Sequence, residues 1–259
     1  MSDTSWAIIL GASSGFGAAT ARELARAGYN ICGVHLDRKN TMPQVEAIQE
    51  DIRQAGAEAL FFNMNAVDAE KRANVITELQ ERGAKVRVLM HSLAFGTLRP
   101  YIDEDQSQEL NQRQMDMTLD VMAHSLVYWT QAVHHGGLFA EDARVYSMTS
   151  EGSTKVWAGY GAVSAAKAAL EAHTRQLAVE MAPYKVSVNA IQAGVTYTPA
   201  QDRIPGAEEM REGAARRNPF GRLTTTEDVA VTIRALSEPG LGWITGNVIR
   251  ADGGEAIAV

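Results

Sequence analysis

The chain has 259 residues, 46% of them apolar, with a formal charge of −7 and one cysteine. That length and apolar content suit one α/β domain with a sizeable core. The acidic balance excludes a nucleic-acid surface of clustered Lys and Arg, the lone Cys32 excludes an intrachain disulfide, and no apolar run approaches the ~20 residues of a membrane span.

With no basic leader ahead of an apolar stretch, the expectation is a cytoplasmic protein with neither membrane nor nucleic-acid partners. Trp6–Leu10 reads as a compact apolar strand, followed by a glycine-rich turn and a helix over Gly15–Ala27. A second strand is expected at Asn30–Val34 and a helix around Pro43–Ala55. The third strand is Ala59–Asn63, its helix Ala69–Arg82, and the fourth strand Val86–His91. One long helix is expected within Ser107–Val133, stopped by Gly136 and Gly137. Ala143–Met148 is the fifth strand, a helix starting at Tyr160 follows, and Val186–Ile191 and Asn247–Ala251 are the sixth and seventh. Strands that are apolar almost throughout, alternating with helices, predict a single-domain, doubly wound parallel sheet (Rossmann-like, about seven strands) with helices on both faces. Ligands of such sheets bind beyond the carboxyl ends of the strands, so the loops there are the places to inspect.

The first loop holds Gly11, Ser13, Ser14, Gly15, Phe16 and Gly17, a GxxxGxG spacing between a strand and a helix. Its glycines permit a tight turn and close approach to phosphate, and the helix N-terminus supplies free N–H groups and positive dipole. The loop after the second strand places Asp37 beside Arg38 and Lys39. A carboxylate there favours the free 2′-hydroxyl of NADH and a cation the 2′-phosphate of NADPH; two cations to one anion favour NADPH, with NADH as the alternative.

Ser150–Met181 carries a tyrosine and a lysine seven residues apart, Tyr160 and Lys167. Seven helical residues turn roughly 700°, about 20° short of two turns, so both side chains share a face. A cation near a phenol lowers its pKa from about 10 and makes it a better donor to a developing oxyanion. The six histidines, His35, His91, His124, His134, His135 and His173, show no ligand spacing with Cys or carboxylates, and no metal is expected.

Taken together these stretches resemble the short-chain dehydrogenase/reductase family over essentially the whole chain: GASSGFG, Asn65-Ala66 after the third strand, NPFGRL at 218–223 and ITGNVIRADGG at 244–254. Three departures from most of that family concur. His91-Ser92-Leu93-Ala94 replaces Asn-Asn-Ala-Gly, Met122 stands where a catalytic asparagine would, and Val163 occupies the usual tyrosine position four before Lys167. All three match the enoyl-acyl-carrier-protein reductase branch, with its Tyr-x6-Lys pair, its His-Ser-Leu-Ala-Phe loop and Ala193-Gly194 after the sixth strand.

That resemblance implies NAD(P)H-dependent reduction of the carbon–carbon double bond of an enoyl thioester, carried on acyl carrier protein or coenzyme A, by a homotetramer. It implies catalytic roles for Tyr160, Lys167 and Ser150. Ser150 is read as a partner of the substrate carbonyl, the alternative being a turn hydroxyl. It implies cofactor contacts from the glycine-rich loop, Asp37, Arg38, Asn65, Ala66, Ser92, Leu93, Ala94, Lys167, Gly194, Val195 and Thr198. Phe95, Tyr160 and Tyr197 are substrate candidates, and 196–218 reads as a lid. The alternatives are a carbonyl, 3-oxoacyl or hydroxysteroid-type reductase and a non-catalytic dinucleotide sensor.

Overall fold

The computed structural model describes residues 5–258. Strands β1 (Ser5–Leu10), β2 (Asn30–His35), β3 (Ala59–Asn63), β4 (Lys85–His91), β5 (Phe139–Thr149), β6 (Val186–Ala193) and β7 (Val248–Ala251) form one parallel sheet in the order β3-β2-β1-β4-β5-β6-β7. Helices α1 (Gly15–Arg26), α2 (Met42–Gln54) and α8 (Thr226–Leu236) cover one face. The other lies under α3 (Ala69–Glu81), α5 (Ser125–His135) and α6 (Gly161–Met181), with α4 (Gln112–Leu119) and α7 (Ala207–Arg217) beside it or beyond it. Because strand side chains alternate, Ile8 and Leu10 enter one core and Ala7 and Ile9 the other, which is why β1 is apolar without a break. The strand order reverses at β1, between β2 and β4, and the crevice of such a sheet opens at that switch. Among the described residues no helix is long and apolar enough to cross a membrane.

The long helix expected within Ser107–Val133 is instead a 3₁₀ turn at Gln106–Gln108 and then α4, a π turn at Asp120–His124, and α5. Asn111 and Gln114 cap α4 reciprocally, which sets its start. At the π turn Ser125 Oγ donates to the Val121 carbonyl (2.8 Å) and meets His91 Nε2 (2.8 Å). A side-chain group inserted in this way is a recognised cause of a wider turn. The strand expected at Ala143–Met148 begins earlier, at Phe139.

Helix α8 was not expected, because its run of Thr, Val and Ile favours strands. A Thr225–Asp228 capping box starts it, and Val229, Ala230 and Ile233 bury themselves in the core shared with α1.

Midway along β5, level with the start of β6, a buried arginine ties these parts together. Arg144 donates to the carbonyls of Asp142 (2.6 Å), Ala143 (3.2 Å), Leu236 (3.3 Å) and Glu238 (3.3 Å), and to the Asp142 carboxylate (2.7 Å). Two of those carbonyls stand at the C-terminal end of α8, where a cation is favourably placed. Asp142 adopts a left-handed backbone (φ 61°), which Asp tolerates better than most residues.

Candidate active site

The glycine-rich loop sits at the switch point. The Gly11 N–H donates to the Val34 carbonyl (2.8 Å), and Ser92 N–H, after β4, donates to the Leu10 carbonyl (2.9 Å). A methyl on Gly11 would collide with the Ser92 carbonyl, and one on Gly17 with the Gly11 carbonyl. Gly11 also has φ +90° and Gly15 φ +52°, so both turns need glycine. Ser14 caps α1 in extended conformation without a side-chain hydrogen bond, and no acid lies in the first turn. The first turn of α1 therefore offers its N-terminal amides to the cradle with no acidic side chain of its own, an arrangement suited to a pyrophosphate. Thr198, from the segment after β6, closes it from above, 3.3 Å from where a Gly15 methyl would stand. Phe16 packs beneath it, against the α1 core.

At the end of β2, His35 is buried and its Nδ1 lies 3.0 Å from Asp37 Oδ2. Burial opposes ionisation of Asp37, but hydrogen bonds from Ser13, Thr41 and His35 outweigh it and hold the carboxyl below its usual range. Burial lowers His35 in turn, so the pair carries one negative charge facing the glycine-rich loop. Arg38 and Lys39 form no ion pair with described residues. After β3, exposed Asn65 accepts from the Val67 N–H (3.2 Å) and the Ala66 carbonyl is held by Trp129 Nε1 (2.8 Å), which fixes this loop beside the others.

Tyr160 caps α6 rather than lying inside it (φ −92°, ψ 2°), and its ring lies against Gly152, where a methyl would stand 2.6 Å from the ring and 3.2 Å from Ser150 Oγ. Ser150 Oγ accepts weakly from the Gly152 N–H (3.3 Å), so the turn-hydroxyl role is present and leaves the hydroxyl proton free for a partner. Lys167 is buried, and its Nζ donates to the Met148 carbonyl of β5 (2.6 Å). Burial pulls Lys167 down to about 8.

The expectation that a cation would lower the phenol does not hold in this structure. Burial pushes Tyr160 up, and the group pulling it down is the Ser150 hydroxyl. The ammonium is turned toward the strand, with its charge drawn to Met148. His91, wholly buried, is pulled down to about 3 by burial and by the Lys167 charge; its Nδ1 has no protein partner among the described residues.

Leu93 packs against the core, while Ala94 and Phe95 are exposed. The next residue, Gly96, is wedged against α4, the π turn and α6: a methyl there would stand 2.7 Å from Val163 Cγ2 and 2.9 Å from both Met122 Sδ and Thr118 Cγ2. Met122 and Val163 are thus buried apolar packing beneath the loop after β4.

After β6, Gly194 is packed against Thr224 and Glu255, and the Val195 N–H is held by the Glu255 carboxylate (3.2 and 3.3 Å). Burial pushes Glu255 up, against the pull of Val195 and Arg217. Tyr197 is exposed, with the Arg211 guanidinium 4.5 Å over its ring. Sequence reasoning missed Glu255, sixty residues from its partner and in no motif. It also missed Trp157, which lies inside the Ser150–Met181 stretch, and Gly96, one residue beyond the His91–Phe95 loop.

The family model described as Enoyl-(Acyl carrier protein) reductase matches residues 11–255. A 1-cyclohexenylcarbonyl-CoA reductase of Streptomyces collinus is 25% identical over 96% of this chain and 86% of its own. The 3-oxoacyl-[acyl-carrier-protein] reductase FabG of Pseudomonas aeruginosa is 28% identical, covering 96% of each chain. Among solved structures, the enoyl-[acyl-carrier-protein] reductase (NADH) of Aquifex aeolicus superposes with a TM-score of 0.85 at 24% identity, over 98% of this chain and 97% of that one.

Proposed function

The chain belongs to the enoyl-(acyl carrier protein) reductase family within the short-chain dehydrogenase/reductase superfamily, with the fold of an NAD(P)H-dependent oxidoreductase, and on that premise we propose that it reduces the carbon–carbon double bond of an enoyl thioester. The observation that carries this reading is the apolar packing of Met122 and Val163 under Gly96, which leaves Tyr160 and Ser150 as the neighbouring hydroxyl pair at the start of α6.

The cradle fits a dinucleotide. Gly11, Ser13, Ser14, Gly15, Phe16 and Gly17 would hold the pyrophosphate, Asp37 and Arg38 the adenosine ribose, and Asn65, Ala66, Ser92, Leu93 and Ala94 the adenine side. Lys167 would hold the nicotinamide ribose, Gly194 and Val195 the carboxamide, and Thr198, beside Gly15, the carboxamide or the pyrophosphate. When bound, the reduced nicotinamide supplies a hydride. Arg38 and Lys39, free of ion pairs among described residues, are the groups for a 2′-phosphate, and the proposed cofactor is NADPH.

An enoyl thioester accepts hydride at its β-carbon, and negative charge develops on the thioester oxygen two carbons away. A ketone develops its charge on the atom next to the reacting carbon. A donor set three residues earlier than position 163, at the N-cap of α6, suits the more distant oxygen. Tyr160 donates a hydrogen bond to that oxyanion, and Ser150 lies beside the phenol to orient it. Phe95 and Tyr197, exposed on either side, line the acyl path, and 196–218 covers it.

The test is NADPH oxidation with crotonyl-CoA beside acetoacetyl-CoA, on wild type and Tyr160→Phe. Enoyl turnover that collapses in the variant supports the reading. Turnover of the ketone alone favours a carbonyl reductase, the reaction carried in the name of the FabG relative.

A further inference from the structure

Helix α7 has little apolar anchorage: of its eleven residues only Ala214 is buried. What holds it in place is polar, and is concentrated at its two ends. At the N-terminal end Trp157 Nε1 donates to the Pro205 carbonyl (2.7 Å). Gly206, the left-handed cap of the helix (φ +74°), lies flat on the indole, 3.2 Å from ring to methyl position. At the C-terminal end Arg217 reaches Glu151 Oε2 (3.4 Å), Glu255 Oε1 (3.3 Å) and, through Nε, the Glu255 carbonyl (3.1 Å). Within the segment, Arg211 binds Gln201 Oε1 (2.6 Å) and Asp202, so the turn before the helix and the helix itself form one unit.

Both anchors converge on the same short connection. Trp157 and Glu151 lie between β5 and α6, the stretch bounded by Ser150 at one end and Tyr160 at the other. An ordinary flap would rest on the substrate and on neighbouring surface. This one is fastened to the loop that carries the two hydroxyls. A polar attachment of this kind is weak enough to open, since hydrogen bonds and part-exposed ion pairs contribute modestly, and directional enough to set an angle when closed.

We infer that Trp157 and Arg217 are positioning residues: through them α7 and the 150–160 connection move as one body, so that closure over substrate places the Tyr160 phenol and the Ser150 hydroxyl. This rests on the enoyl-reductase reading for what the hydroxyls do, but not for the mechanical coupling itself. Glu151 gains a role here that acyl recognition does not give it, as the receiving end of the Arg217 contact.

The experiment compares wild type with Trp157→Phe, which keeps the ring and loses the donor, and Arg217→Met, which releases the other end. Two readouts are taken. Amide hydrogen exchange measured by mass spectrometry follows 207–217 and 151–159 separately. Steady-state kinetics with crotonyl-CoA separate kcat from KM.

Coupling predicts that either variant speeds exchange in both segments, although Arg217→Met touches only one end. It predicts a kcat reduced by roughly tenfold with KM within about twofold, the signature of misplaced catalytic groups. Arg217→Lys, which keeps the charge, should recover most of that loss. Faster exchange in 207–217 with 151–159 unchanged, or a raised KM at wild-type kcat, would overturn the inference and leave α7 as a plain cover. If Tyr160→Phe retains full turnover while the two segments still exchange together, the catalytic reading fails and the coupling stands.

Discussion

Arg144 and Lys167 are both buried cations against β5, one midway along the strand and one toward its carboxyl end, and their surroundings are opposite. Arg144 directs its donors into four carbonyls and a carboxylate. Lys167 has one carbonyl, a depressed pKa, and near it an imidazole that is itself unfavourably buried. A cation whose valences are filled by the protein fastens structure. A cation left with protons to donate is held in readiness for something that arrives later. At the carboxyl end of the sheet His91 Nδ1 and the uncapped start of α1 are likewise left without a protein partner among the described residues.

If that division is real, removing polar groups at the carboxyl end costs activity, and removing Arg144 costs stability. Tyr160→Phe should lower enoyl turnover by about 10²–10³, the scale of a lost oxyanion donor, with a melting temperature at or above wild type because a buried hydroxyl has gone. A large fall in melting temperature would blur the division. Arg144→Met should do the reverse. Carbonyls of α8 and the Asp142 carboxylate lose their partner, costing about 3–4 kcal/mol in urea unfolding, while kcat per folded molecule stays at wild type.

Lys167→Met sharpens the comparison through pH. The folded value of about 8 lies below the ordinary 10.5, so the native state holds this proton less tightly than the unfolded chain does. Below pH 8 both states are protonated and the native state carries the full penalty. Between pH 8 and 10.5 the penalty fades as the unfolded chain approaches its own pKa. The variant should therefore be more stable by about 3 kcal/mol at pH 7, with the gap closing toward pH 10.5, and nearly inactive. A gap independent of pH would show that the lysine is solvated in the folded protein. The smallest effect belongs to Arg38→Gln, which should weaken NADPH roughly tenfold and leave NADH unchanged in a fluorescence titration, about 1.4 kcal/mol for a lost charged contact.

Local signals in the sequence were enough for the seven strands and the glycine-rich turn, because each depends on near neighbours and on backbone period; the shared helical face expected for Tyr160 and Lys167 assumed a helical Tyr160, which instead caps α6. What depends on distant chain was not legible. The π turn arises where Ser125 meets His91, thirty-four residues away. The β-branched run of α8 becomes helical because it has a capping box and a core to enter. The direction of the Lys167 ammonium is set by the Met148 carbonyl on a neighbouring strand, and so the expected effect on the phenol failed. Glu255 reaches Val195 only because the sheet folds the chain's end back over β6.

The seating of Gly96 also constrains how such a molecule can change over generations. Val163, Met122 and Thr118 press on a residue that has no room even for a methyl. A tyrosine placed at position 163 would arrive where the loop already stands, and an asparagine at 122 would be buried there without a partner. The order of substitutions then matters. The loop must first retreat, at a cost in packing, before a larger side chain can be accommodated at position 163. The packing of the loop after β4 thus limits which side chains positions 122 and 163 can carry.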